Sequence, residues 1–149
     1  MNDQAGSGHI DLRDQPGHLI RRAHQIAIAV FHHHLGREVT PIQYAVLRIL
    51  QDSPGIDQVT LARQAALDTS TTADIAARLD AKGWIERQVL ARGQRSLRLT
   101  PQGAAILAEL VPAIRSVQAE LLGRLADDEQ AELLRLLRKF AGEDAAADE

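Results

Sequence analysis

Apolar residues recur three and four positions apart through the first part of the chain. Leu19, Ile20, Ala23, Ile26, Ala27, Val30 and Phe31 share one face, which predicts an amphipathic helix from Gly17 to Leu35, stopped by Gly36. Thr40-Pro41-Ile42-Gln43 joins an N-cap hydroxyl, a proline at the first helical position and a glutamine three residues on, the pattern of a capping box. It opens a second helix through Tyr44, Val46, Leu47 and Leu50, which Ser53-Pro54-Gly55 ends. A short third helix starts near Asp57 and carries Val59, Leu61, Ala62, Ala65 and Ala66. After a break at Leu67-Asp68, the run Thr69-Ser70-Thr71-Thr72 begins a fourth, with Ile75, Ala76 and Leu79 inward and Lys82-Gly83 at its close. Such hydroxyl residues are poor helix interior but suit a helix start, where they are expected to face outward.

The period then changes from helical to alternating. Trp84-Ile85-Glu86-Arg87 and Leu97-Arg98-Leu99 read as two strands of a hairpin whose loop holds Gly93. Thr100-Pro101 caps a long helix reaching about Leu125, with Leu107, Leu110, Ile114, Val117 and Leu121 at coiled-coil spacing and a kink predicted at Pro112. Asp127-Asp128-Glu129 suits the positive end of a last helix, whose apolar face is Leu133, Leu134, Leu136, Leu137 and Phe140 and which Gly142 ends. The pattern is mainly α with a small β-hairpin wing. Over Asp57 to Thr100 the two short helices and the hairpin make up a winged helix-turn-helix, a reader of DNA. The N- and C-terminal helices, about 17–35 and 101–141, have apolar seams with no evident partner, which predicts a homodimerisation frame around a DNA-binding part at about 40–100. One domain is expected over 15–142, between a flexible tail at 1–14 and a flexible acidic tail at 143–149.

Composition narrows the classes. The 149 residues are 45% hydrophobic, enough for a globular core, and no apolar run approaches the roughly 20 residues of a membrane span. The N-terminus also lacks the pattern of a signal peptide, so a cytoplasmic protein with no membrane partner is expected. There is no cysteine, which excludes disulfides, thiolate metal sites and cysteine nucleophiles. Without a Gly-rich phosphate loop or a recognisable pairing of histidine with serine or acid, neither an enzyme nor a cofactor is expected.

A net charge of −3 seems to oppose nucleic-acid binding, but the charge is uneven. Residues 1–56 hold five basic and five acidic side chains, 57–100 seven and five, and 101–149 five and ten. The middle is the one basic third, and from Arg87 to Arg98 every charged residue is arginine: Arg87, Arg92, Arg95 and Arg98. A phosphate backbone calls for such a footprint; a hairpin made soluble by arginine is the plainer alternative.

Several strings, in this order, resemble the MarR family of bacterial transcriptional regulators. TPIQYAVLRIL is similar to that family's second-helix signature; Asp57 to Leu79 followed by AKGWIER resembles its reader and the start of its wing; SLRLTPQG resembles the return strand. The resemblance spans roughly Pro16 to Phe140. It implies a homodimer with interleaved first, fifth and sixth helices, usually a repressor on a pseudo-palindromic operator, often released by a small aromatic carboxylate or phenol. Two positions depart from the pattern. Asp74 stands where the family often has an arginine, and can accept from a cytosine amino group, orient an arginine or, on the plainer reading, face solvent. The wing loop, Leu90 to Ser96, lacks the usual Asp-x-Arg aspartate, which leaves its bracing open.

The candidate DNA-binding residues are Thr69, Ser70, Thr71 and Thr72, whose hydroxyls and free backbone N–H groups would enter the major groove, Arg78 for a phosphate or for bracing the wing, and Arg92 and Arg95 for the adjacent minor groove. The candidate effector residues are Arg22, His34, Gln43 and Tyr44, which offer cationic or polar rims beside apolar walls. Arg22 and His34 are too far apart on one helix to hold a single small ligand, unless they come from opposite subunits. Five of six histidines lie on or just before the first helix, which raises the alternative of a zinc-responsive regulator. Consecutive helical residues diverge by about 100°, however, so His32, His33 and His34 cannot converge on one ion within the chain. A protein-docking winged helix is a further alternative, against which the arginine-only wing speaks.

Overall fold

Four helices begin where a side chain accepts the backbone N–H three residues on: Thr40 from Gln43, Asp57 from Thr60, Asp68 from Thr71 and Thr100 from Gly103, at 2.7–3.1 Å. The computed structural model describes residues 8–143. Its elements in chain order are α1 (Pro16–Leu35), α2 (Pro41–Asp52), β1 (Ile56–Asp57), α3 (Gln58–Gln64), α4 (Thr69–Ala81), β2 (Ile85–Val89), β3 (Arg95–Leu99), α5 (Pro101–Leu122) and α6 (Asp127–Ala141). The result is mainly α-helical with a small antiparallel sheet.

The expected capping box is present in full, with Thr40 accepting from the Gln43 amide and the Gln43 side chain accepting from the Thr40 amide. The expected hairpin pairs Ile85 with Leu99, Glu86 with Arg98 and Val89 with Arg95. The unexpected strand is β1, which adds to the outer edge of β3 through Ile56 opposite Leu97. Two residues are too few to show a period. Val59, expected on an apolar face, is exposed, and α3 stops at Gln64 because Ala66 turns left-handed at φ 54° toward Asp68. α5 is one continuous helix across Pro112 and ends at Leu122 rather than near Leu125.

The core lies in the reader. Leu47 and Leu50 of α2, Leu61 of α3, Leu79 of α4 and Leu97 of β3 are completely buried, and Trp84, Ile85 and Leu107 close the cluster. Trp84 and the start of α5 approach so closely that a Cβ on Gly103 would stand 1.9 Å from the Trp84 carbonyl oxygen, which requires glycine there. In the same joint Thr100 donates its amide to that carbonyl at 3.1 Å and its hydroxyl to the Gly83 carbonyl at 2.6 Å.

The frame is built differently. α1 packs against α5, yet α6 has no buried residue and leaves Leu134, Leu136, Leu137 and Phe140 exposed. Leu12–Asp14 form a 3-10 turn where a frayed tail is expected, because the Asp11 carboxylate accepts the Arg13 amide and pairs with its guanidinium. Residues 1–7 and 144–149 of the two expected tails lie outside the described residues. Among the described residues no helix is long and apolar enough to cross a membrane.

Candidate nucleic-acid interface and effector region

The start of α4 differs from the expected row of four free hydroxyls. Asp68 caps the helix, taking the Thr71 amide at 2.7 Å on one carboxylate oxygen and the Thr71 hydroxyl at 2.7 Å on the other. Hydrogen bonds from the Thr71 hydroxyl and amide hold the Asp68 carboxyl below the ordinary aspartate range. Thr72 is buried and donates its hydroxyl to the Asp68 carbonyl at 2.8 Å, so it faces the core rather than a groove. The expectation for Thr72 is corrected, because its turn of α4 packs inward beside Ala76 and Leu79. Thr69 and Ser70 are exposed, as are Asp74 and Arg78 further along the helix.

The same device caps α3. Asp57 accepts the Thr60 amide at 2.9 Å and the Thr60 hydroxyl at 2.5 Å, and these bonds, the hydroxyl's first, lower the Asp57 carboxyl as well. Asp-x-x-Thr therefore starts both helices of the reader, a signal legible at Asp57 and overlooked at Asp68.

The wing arginines divide into two classes. Arg87 donates from two guanidinium nitrogens to Asp80 at 2.9 and 3.0 Å, which ties β2 to the end of α4. Arg98 stands 3.7 Å from Glu86 across the hairpin. These pairs tie down the wing in the absence of a loop aspartate, and Arg78 has no bond to it among the described residues. Arg92 and Arg95, at the tip, are exposed and pair with no acid among the described residues. Arg92 also holds a left-handed backbone at φ 68°, followed by Gly93 at φ 74°. Such a conformation costs an arginine about 1 kcal/mol or more, and residues held this way gather at functional sites.

Between the wing tip and the start of α3 lies a cleft of about 600 Å³, onto which Arg92, Arg95 and Arg63 all open. Arg63 was absent from the sequence candidates, since nothing in its helical spacing points across to the wing. Lys82, in contrast, is engaged, with its ammonium on the Glu38 carbonyl and 4.4 Å from the Trp84 ring centre. The positive charge free to meet a phosphate thus concentrates at Arg92 and Arg95, with Arg63 beside them and Arg78 on α4.

The four effector candidates do not come together. Arg22 lines an open cleft of about 320 Å³ on α1 with His18, Arg21, Ile26 and Ala29. His34, twelve residues on and so about 18 Å away along the helix, is bonded through Nε2 to Glu120 of α5 at 2.5 Å. Gln43 is buried with its side-chain oxygen committed to the capping box, and Tyr44 packs toward Phe31 with ring centres 6.2 Å apart. Arg21 was not a candidate; it reaches His18 Nδ1 at 3.4 Å within the same cleft. His32 turns to the Gly36 carbonyl at 2.8 Å, while His33 packs edge-on against His34. Among the described residues no three His, Cys, Asp or Glu side chains gather as metal ligands.

Comparison with known proteins adds to this geometry. The model of the MarR family matches residues 39–97, from the end of the α1–α2 connection into β3. The transcriptional regulator HosA of Escherichia coli is 37% identical over 131 residues, covering 87% of this chain and 96% of its own. Among solved structures, the PcaV transcriptional regulator of Streptomyces coelicolor in complex with its natural ligand superposes with a TM-score of 0.85 at 36% identity, covering 94% of this chain and 99% of the other. BpsR of Bordetella bronchiseptica, whose DNA binding is regulated by 6-hydroxynicotinic acid, gives 0.84 at 29% identity over 91% of this chain and 99% of its own.

Proposed function

The chain belongs to the MarR family of winged helix-turn-helix transcriptional regulators, and from that premise we propose that it is a homodimeric repressor released from its operator by a small aromatic or heteroaromatic carboxylate or phenol. It is a DNA-binding regulator and not an enzyme. The observation that carries the DNA-contact assignment is the division of the wing arginines. Arg87 and Arg98 are spent on Asp80 and Glu86, which leaves Arg92 and Arg95 to project from a braced hairpin. In the proposed complex the tip lies over the minor groove and supplies affinity, while Thr69, Ser70 and the outer face of α4 enter the major groove and supply specificity. Arg63 and Arg78 meet phosphates.

The exposed apolar faces of α1 and α6 support a second copy as their cover, and a two-fold dimer calls for a pseudo-palindromic operator. Cationic Arg21 and Arg22 beside the apolar Ile26 and Ala29 suit an aromatic carboxylate. The regulation of BpsR by 6-hydroxynicotinic acid, a heteroaromatic carboxylate, supports that class of effector, and the complex of PcaV with its natural ligand supports a ligand-responsive regulator. Release requires the ligand to favour one spacing of the two readers over another, since equal affinity for both shifts nothing.

The test is a mobility-shift titration on the chain's own upstream DNA and on random duplex. Arg95→Ala is expected to weaken both by a similar factor, and Ser70→Ala mainly the former, with a salt slope of roughly −0.9 per phosphate neutralised. Arg95→Ala binding as tightly as the parent would remove the wing from the interface. Hydroxybenzoates, cinnamates and pyridine carboxylates, screened by thermal shift and then for DNA release, test the effector. Stabilisation by zinc, with none by these acids, would replace it with a metal.

A further inference from the structure

Five acidic residues lie between Asp57 and Thr100, and four have a structural partner. Asp57 and Asp68 cap α3 and α4, Asp80 holds Arg87, and Glu86 faces Arg98. Asp74 is the exception, exposed and bonded to nothing among the described residues. Its freedom is not for want of a neighbour. Arg78 follows it by four residues, in the order and spacing that favour a helix ion pair, and the two are nevertheless not paired. A carboxylate doing nothing for the fold thus stands on the outer face of the recognition helix, one turn after Ser70 and one turn before Arg78. Ala73 and Ala77 beside it carry only methyl groups, so nothing shields it from a base edge.

Resting on the DNA reading above, we infer that Asp74 determines specificity by selecting cytosine at one position of each half-site. A carboxylate only accepts hydrogen bonds. In the major groove guanine shows two acceptors and thymine an acceptor and a methyl group, all of which oppose Asp74. Adenine offers an amino donor, but beside the N7 acceptor, whereas cytosine offers its N4 amino group alone. The same negative charge is repelled by the phosphates of every sequence, and cytosine compensates it best. Asp74 therefore lowers binding to unrelated DNA while leaving the matched site occupied, which widens the ratio that a regulator needs.

The test is selection from a random duplex library by the full-length parent, Asp74→Ala and Asp74→Asn, with circular dichroism melts to confirm that all three fold. The parent is expected to enrich a palindromic motif with one C per half-site favoured about tenfold. Asp74→Ala should lose that preference and bind random duplex more tightly. Asp74→Asn should move it from C toward A, because the carboxamide can pair with adenine N6 and N7 together. Identical motifs from all three proteins, with unchanged affinity for random duplex, would overturn the inference and return Asp74 to solvent. Failure of the parent to enrich any sequence would instead overturn the DNA reading beneath it, and the inference with it.

Discussion

The reader and the last helix of the frame both carry rows of apolar side chains and place them in opposite ways. In the reader, Leu47, Leu50, Leu61, Leu79 and Leu97 are fully enclosed by one another and by Ile85 and Trp84, all from a single chain. In the frame, α6 has an apolar row of the same kind, but no residue of it is buried and Phe140 is 75% exposed. One unit is enclosed within the protomer, and the other leaves its apolar row open for the proposed second copy to cover. On the proposed reading, DNA contact and dimer assembly depend on different residues and can be disturbed separately.

That separation can be broken from either side. Replacing Leu137 and Phe140 together by glutamate removes two apolar side chains from the proposed dimer surface, each contributing about 2 kcal/mol when covered. The dimer dissociation constant is expected to rise about a thousandfold, read by sedimentation at micromolar protein. A double variant that still sediments as a dimer would take α6 out of the interface. Leu79→Ala, in the other unit, leaves a cavity under α4 and is expected to cost about 3 kcal/mol in urea unfolding, without changing the way protomers associate. If it altered dimerisation as strongly as stability, the two units would not be independent.

The smallest effect concerns pH and sharpens the contrast, because both shifted aspartates of the reader are caps. Thr60 and Thr71 lower the folded-state values of Asp57 and Asp68 below those of the unfolded chain. Their stabilisation is therefore full above the unfolded value, near pH 4, and is lost as pH falls through the folded values. The urea midpoint should fall on acidification below about pH 4 in the parent, and more gently in the Asp57→Asn, Asp68→Asn double variant. Asparagine still caps a helix but does not titrate. Parallel acid profiles would place the acid sensitivity elsewhere.

What was legible in the sequence follows range. The starts at Thr40, Asp57 and Thr100 were readable because a cap and its helix are neighbours, and the switch at Trp84 because a strand and a helix differ in period. Asp68 is masked as a cap because the hydroxyl run after it offers an equally good start. The inward turn of Thr72 depends on how α4 rolls against α3 and β2. The pairs Arg87–Asp80 and His34–Glu120, and the cleft that gathers Arg63 with Arg92 and Arg95, join elements through packing, which spacing along one chain does not encode. The seams of the frame were visible as seams, but what covers α6 is not written in one copy.

The joint at Thr100 and Gly103 sets the gearing of the molecule. Two hydrogen bonds from Thr100 and a backbone approach at Gly103 too close for any side chain tie the first turn of α5 to the base of the wing. With 22 residues, α5 is about 33 Å long. A tilt of about 5° at its far end swings the other end through roughly 3 Å, a substantial fraction of the rise between neighbouring base pairs. In the proposed dimer, a slight wedge between distant helices would be enlarged by this lever into a misfit of both wings on the duplex.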